Sequence, residues 1–221
     1  MLNGGIKLAV FDCDGTLVDS QYSITNCIYK AFEDFQLPKP SHEEVKQVIG
    51  LPLNEVISAL VADLDFHNVE GLCHSYSNAW QHLRKKNMLD EPLFPGVEET
   101  LKILRKENWL LGIATGKSRR GLVGTLNKHG VLHHFVTVQT ADKRPGKPHP
   151  DMLLKAIEET RVIKDNTVMI GDTTFDIEMA TNAGVKAIGV SWGYHTVDAL
   201  RSAGAKDVIT TFDQLTSILM P

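Results

Sequence analysis

Cysteine is scarce in this chain. Cys13, Cys27 and Cys73 are far apart, odd in number and form no CxxC pair. Reduced thiols in a cytoplasm are the plain expectation. Long apolar runs are missing too: none approaches the ~18 residues needed to span a bilayer, so no membrane partner is expected. The N-terminus has no cationic stretch followed by an apolar one, so no signal peptide is expected. There is no basic excess. Lys and Arg number 23 against 27 Asp and Glu, the net charge is −4 and the pI is near 6.1. That balance argues against a large phosphate-backbone footprint and so against nucleic acid as a partner. Internal repeats and low-complexity segments are also absent. What is present is 221 residues, 43% hydrophobic and 23% charged. This suffices for a packed core, as one large domain or as a core domain with a smaller insert.

Periodicity divides the chain. Ile6 to Phe11 reads as a buried strand ended by Gly15. From about Ser20 to Leu89 the texture is helical. Ile24, Ile28, Ala31, Phe32 and Phe35 form one stripe, and Pro38 and Pro40 end it. Ser41 with Glu44 spells a capping box for the next helix. Gly50 and Pro52 punctuate, "LNEVISALVADL" begins a third helix, and "VEGLCHSYSNAWQHLRKKN" reads as a fourth. Beyond "LDEPLFPG" helices and strands alternate: "WLLGIAT", "HFVTVQT", "NTVMIGD", "VKAIGVSWG" and "KDVIT" are strands with helices between them. Such alternation predicts a parallel sheet. The fold class expected is α/β, a Rossmann-like parallel sheet built from residues 1–18 and 90–221. An all-helical insert, residues 19–89, interrupts it after the first strand.

In an open parallel sheet ligands bind at the carboxyl ends of the strands. Asp12 and Asp14 follow the first strand, Thr115, Gly116, Lys117 and Ser118 the second. Lys147 comes somewhat after the third, and Asp172 and Asp176 follow the fourth. Two carboxylates two residues apart repel each other and cost solvation, and a divalent cation is the simplest group to offset that. Carboxylates, a hydroxyl and an ammonium delivered to one edge form a magnesium-and-phosphate inventory.

These segments resemble the motifs of the haloacid dehalogenase superfamily. "DCDGT" is similar to its DxDGT motif, "IAT" to the strand ending in Thr or Ser, "GKPHP" to its KPxP lysine, and "GDTTFDIEMATNAG" to its GDxxxD followed by AxxAG. They occur in family order across nearly the whole chain, and the helical insert lies where the family's C1 cap belongs. The resemblance implies a Mg²⁺-dependent phosphatase with Asp12 as nucleophile and Asp14 as general acid and base. It implies that Thr115, Gly116 and Lys147 hold the phosphoryl group. Asp12, the Asp14 carbonyl and Asp172 would ligate Mg²⁺, with Asp176 in support behind them. Gly50 and Leu51 are expected in the loop that closes over a small phosphorylated metabolite, and the segments Val18–Ser20 and Leu89–Pro95 as hinges. Phosphoglycolate is the favoured substrate. Pyrophosphate, sugar phosphates, nucleotides and a mutase of the β-phosphoglucomutase type stay open, as does a non-catalytic binding protein. Asp14 argues against a dehalogenase, because a halide leaving group needs no general acid.

Other features read as local structure. "TGKS" at 115–118 is not a P-loop, because GxxxxGK[ST] requires glycine where Leu111 stands. Lys117 and Ser118 then line the pocket mouth or start the next helix. His129 and His133 lack an acidic partner and read as surface residues. Cys13, Trp80 and Trp109 read as packing, and Arg84 to Lys86 as a solvated face. Asp172 reads as a helix N-cap as well as a ligand. Lys117, Arg119 and Arg120 offer charge to an anionic substrate tail, or face solvent.

Overall fold

The computed structural model describes residues 5–61 and 66–220. Six parallel strands form one sheet: β1 (Lys7–Phe11), β2 (Trp109–Thr115), β3 (Thr137–Thr140), β4 (Thr167–Gly171), β5 (Lys186–Val190) and β6 (Asp207–Ile209). Their order is β3-β2-β1-β4-β5-β6. The chain winds outward from β1 in one direction and then in the other, so the switch point lies where β1 neighbours β2 and β4. At such a point the loops diverge and open a crevice.

Both faces of the sheet are covered. Ala9 and Phe11 of β1 pack into one apolar cluster with Leu101, Ile113 and Phe212. Leu8 and Val10 point the other way, onto Met152, Met169 and Ile177. From Leu8 to Phe11 this two-residue alternation carries apolar side chains on both faces, as a buried parallel strand requires. Six helices flank the strands and are numbered here in chain order: α5 (Val97–Lys106), α6 (Arg119–Lys128), α7 (Asp151–Thr160), α8 (Thr174–Ala183), α9 (Val197–Ser202) and α10 (Phe212–Leu219).

Four further helices lie between β1 and α5: α1 (Gln21–Asp34), α2 (His42–Val48), α3 (Leu53–Leu60) and α4 (Phe66–Lys85). They share a third apolar cluster that includes Ile28, Phe32, Val45, Ile57 and Leu72. Each such buried side chain contributes about 2 kcal/mol. The Ser41 hydroxyl accepts from the Glu44 N–H at 3.2 Å, and the Glu44 carboxylate accepts from the Ser41 N–H at 2.7 Å, a reciprocal cap on α2. The expected run of the third helix through Leu64 lies partly outside the described residues. The two segments joining this unit to the sheet run side by side: the Asp19 N–H donates to Pro92 O and the Phe94 N–H to Leu17 O.

Most strands are shorter than their sequence suggests, β3 and β5 by the largest margin: "VKAIGVSWG" yields only Lys186–Val190. "HFVTVQT" reads as a strand from His134, but residues 132–134 form a single tight turn and β3 begins at Thr137. The buried His134 ring lies beside that of His133, with centroids 4.0 Å apart.

Candidate active site

Asp12 leaves the end of β1 with its N–H bonded to Ile170 O of β4. That bond holds it at the switch point. Its side chain is buried, and one carboxylate oxygen accepts from the Cys13 N–H at 2.6 Å. The other lies 2.7 Å from the Lys147 ammonium, which also lies 2.5 Å from Asp176 Oδ1. Asp172 accepts from the Thr16 hydroxyl at 2.7 Å and from the Tyr194 N–H at 2.9 Å. Gly15 makes the close approach possible. Its φ is +83°, and a Cβ there would fall 2.2 Å from Asp172 Oδ2.

Charge does not balance here. Oxygens of Asp12, Asp172 and Asp176 lie within 4.8 Å of one another, all buried. Lys147 is the one ammonium paired with them among the described residues. Burial raises the Asp12 carboxyl to about 7; Lys147 opposes the rise and Asp176 adds to it. Asp172 is raised well above the usual carboxylate range, first by burial and then by Asp176 and Asp12. A trio of hard oxygen donors with surplus negative charge fits Mg²⁺ or a similar divalent cation.

Asp14 has other partners. Its Oδ1 accepts from the Ser20 hydroxyl at 2.5 Å and from the Lys117 ammonium at 2.8 Å. Lys117 reaches Glu91 at 3.2 Å and lies 4.4 Å from the centre of the Trp80 ring. Burial alone would discharge Lys117, but Asp14 foremost, and Glu91 with it, keep it ionised. Sequence reasoning missed this triangle. Lys117 is neither a helix residue nor a solvent-facing charge, and Ser118 alone starts the helix, its hydroxyl capping α6 from the Gly121 N–H.

Residues 49–52 of the helical unit lie against the crevice. Gly50 and Leu51 line the same cavity as Asp12, Asp14, Thr115 and Gly116. A Cβ at Gly116 would sit 2.5 Å from Gly50 O and 2.6 Å from Leu51 O. Backbone atoms have no rotamer by which to retreat, so the loop would have to lift. We expect Gly116→Ala to lose about 100-fold in kcat/KM, the usual cost of a 1 Å misplacement, with a nearly unchanged melting temperature. Parallel phosphate-release and thermal-melt measurements check this, and full activity in the variant would contradict it. On the far side, His195 accepts from the Thr174 N–H and sits 3.3 Å from Gln47 O, which ties the loop after β5 to α2.

Several sequence expectations change. The N-cap of α8 is Thr173, not Asp172. Asp176 completes its capping box and at the same time holds Lys147, so this carboxylate serves two partners at once. Arg84 is not on a solvated face. It donates to Arg120 O at 3.1 Å and Gly121 O at 3.0 Å, joining α4 to α6. His129 is tied to Glu91 O at 2.6 Å. Arg119 turns to Val138 O and does not enter the cavity, whereas Arg120 lines it. Trp80 walls the cavity and so does more than pack. Trp109 and Cys13 are packed in the core. Thr16 stands in the sequence only as the last residue of "DCDGT", Ser20 and Glu91 only within the expected hinges, and Tyr194 not at all; their contacts with Asp172, Asp14 and Lys117 are recognisable only in space.

A doubly wound sheet whose switch point gathers buried carboxylates, an ammonium and a strand-end hydroxyl defines an enzyme of phosphate chemistry. The comparisons agree. The model of the haloacid dehalogenase-like hydrolases matches residues 9–190, and the chain belongs to that family. It is 34% identical over 212 residues to a probable phosphatase, IndB, of Dickeya dadantii, covering 94% of this chain and 91% of that one. It is 30% identical to a phosphoglycolate phosphatase of Nitrosococcus oceani, with 96% of each chain covered. It is also 30% identical to the pyrophosphatase PpaX of Halalkalibacterium halodurans, with 97% of each covered. A solved haloacid dehalogenase-like hydrolase of Bacteroides fragilis superposes with a TM-score of 0.88 at 28% identity, covering 96% of this chain and all of that one. The enzyme is a phosphatase. No helix among the described residues is long and apolar enough to cross a membrane.

Proposed function

We propose that the protein hydrolyses a small phosphate monoester, with Mg²⁺ bound, through an aspartyl-phosphate on Asp12. One observation carries the reading: two carboxylates two residues apart have entirely separate partners, Asp12 held by Lys147 and Asp14 by Ser20 and Lys117. Differently held carboxylates suit different jobs. Residues 1–18 and 90–221 form the catalytic core in this reading, and 19–89 the cap.

Asp12 attacks phosphorus, and the bond from phosphorus to the ester oxygen breaks. Asp14 protonates that oxygen, so the leaving group departs as an alcohol. The Asp14 carboxylate then takes a proton from water, whose oxygen attacks phosphorus and releases inorganic phosphate and free Asp12. Thr115 and the Gly116 N–H bind phosphoryl oxygens, and Lys147 offsets their charge. Asp12, the Asp14 carbonyl and Asp172 would hold Mg²⁺, with Asp176 supporting them through Lys147. The cation supplies charge neutralisation for the phosphoryl group and the carboxylates. The names of the relatives make phosphoglycolate and pyrophosphate the first candidates to assay. The test is phosphate release over a panel of small esters, with and without Mg²⁺. Turnover abolished by chelation is expected. No release from any ester would sink the reading.

A further inference from the structure

The cavity above Asp12 is larger and more apolar than a small anionic leaving group needs. It offers about 230 Å³ of accessible space and opens to solvent at one end. Asp12, Asp14 and Thr115 form its base. Above them the wall comes from the helical unit: Ile24, Ile28, Ile49, Val56, Tyr76 and Trp80. Tyr76 and Trp80 lie one turn apart on α4, their rings nearly parallel with centroids 5.9 Å apart and an interplanar angle of 22°. Tyr76 and the Lys117 ammonium both lie over the Trp80 ring, so the pair offers ring edges, against which a flat aromatic partner packs edge-to-face.

The cations are placed just as tellingly. Lys117, the ammonium inside the cavity, is already matched by two carboxylates, Asp14 and Glu91. Arg84 lines the cavity too, but its guanidinium donates to two carbonyls of α6. Lys85 and Arg120 also line the cavity, but both are exposed and so stand at its mouth. A glycolate carboxylate or a second phosphate placed beyond the phosphoryl site would meet mainly aliphatic and aromatic walls, with Lys117 matched by carboxylates and the Arg84 guanidinium already donating to carbonyls. Burying such an anion there is costly.

We infer that the leaving group is an alcohol carrying an aromatic or heteroaromatic ring, with the ring against Tyr76 and Trp80 and any polar tail directed toward Lys85 and Arg120. This rests on the phosphatase reading and deepens it. The phosphoryl transfer is unchanged, and the ring-bearing alcohol departs with the proton from Asp14.

The experiment compares kcat/KM of the Mg²⁺-loaded enzyme for 2-phenylethyl phosphate, ethyl phosphate, phosphoglycolate and pyrophosphate. The two alkyl esters have leaving oxygens of similar basicity, so their ratio reports the ring and not the chemistry. An advantage of about 10- to 100-fold for the phenyl-bearing ester is expected, which is the worth of burying one ring. In Tyr76→Leu that advantage falls, mainly through a higher KM. Equal rates for the two alkyl esters, or a preference for phosphoglycolate or pyrophosphate, would overturn the inference and leave the phosphatase reading standing. An absence of turnover with all four would overturn both. The wild-type ratio decides the matter even if the variant fails to fold.

Discussion

Asp12→Asn is expected to release phosphate at least about 10⁴-fold more slowly than the wild type and, in the metal-free state, to be no less stable. The activity loss follows from removing the attacking oxygen, since substitutions of a covalent nucleophile cost on this order or more. The stability result follows from the site's surplus charge. Asp12 is buried beside Asp176 and Asp172, and its carboxyl is pushed up to about 7, first by burial. A carboxyl raised above its unfolded value of 3.8 favours the folded state only while it is protonated. That contribution is complete below the unfolded pKa and is lost as pH rises through the folded one. At pH 8 the ionised group therefore opposes folding, whereas a neutral amide does not. The variant should melt at the same or a higher temperature at pH 8, and the difference should shrink toward pH 4. Mg²⁺ should narrow it as well, because the wild type binds the cation better. Thermal melts at three pH values, with and without Mg²⁺, check this. A variant several degrees less stable at pH 8 without metal would contradict the charge argument, and one retaining a tenth of wild-type activity would contradict the nucleophile.

The sequence shows which strands deliver polar residues because the signal is local. An apolar run followed by Asp, Thr or Gly-Asp marks a strand's carboxyl end wherever it occurs, and a parallel sheet brings all such ends to one edge. Hence Asp12, Asp14, Thr115, Lys147, Asp172 and Asp176 could be named together before any coordinates, and the structure brings them to one crevice. Pairings made across separate segments leave no such trace. Lys117 meets Glu91 across 26 residues and Asp14 across 103, and nothing in "TGKS" or "LDEPLFPG" announces either contact. Arg84 looks like one charge in a basic run, yet its carbonyl acceptors sit on a helix 36 and 37 residues away. The N-cap of α8 falls one residue later than residue type suggests, for a related reason. Asp172 and Thr173 are both good caps by type, and the choice falls to the residue whose backbone N–H Asp176 can reach in return.

Lys147→Met is the substitution expected to cost most stability. Lys147 is fully buried and lies between Asp12 and Asp176. Burial would lower its pKa, but Asp12 and Asp176 more than offset this and hold it above the ordinary lysine value. Met fills nearly the same volume, so the change tests charge and not packing. Without the ammonium, Asp12, Asp172 and Asp176 face one another with oxygens within 4.8 Å and no cation between them. Removing one partner from a buried ion network costs about 3–5 kcal/mol, and that loss is expected at pH 8 in the absence of metal. Two rescues should follow from the same cause. Lowering the pH should return part of the stability as Asp12 takes up its proton, at a higher pH than in the wild type because Lys147 no longer opposes the rise, since a neutral carboxyl needs no counter-charge. Adding Mg²⁺ should raise the melting temperature of the variant by more than it raises that of the wild type, because the ion then supplies positive charge that Lys147 no longer does. Activity should stay at least about 100-fold low even in the rescued state, since the phosphoryl group has lost a fixed cation. Chemical denaturation and calorimetry with and without Mg²⁺ measure each part. A variant as stable as the wild type at pH 8 without metal would mean that the three carboxylates already share protons, and that Lys147 serves the substrate and not the fold.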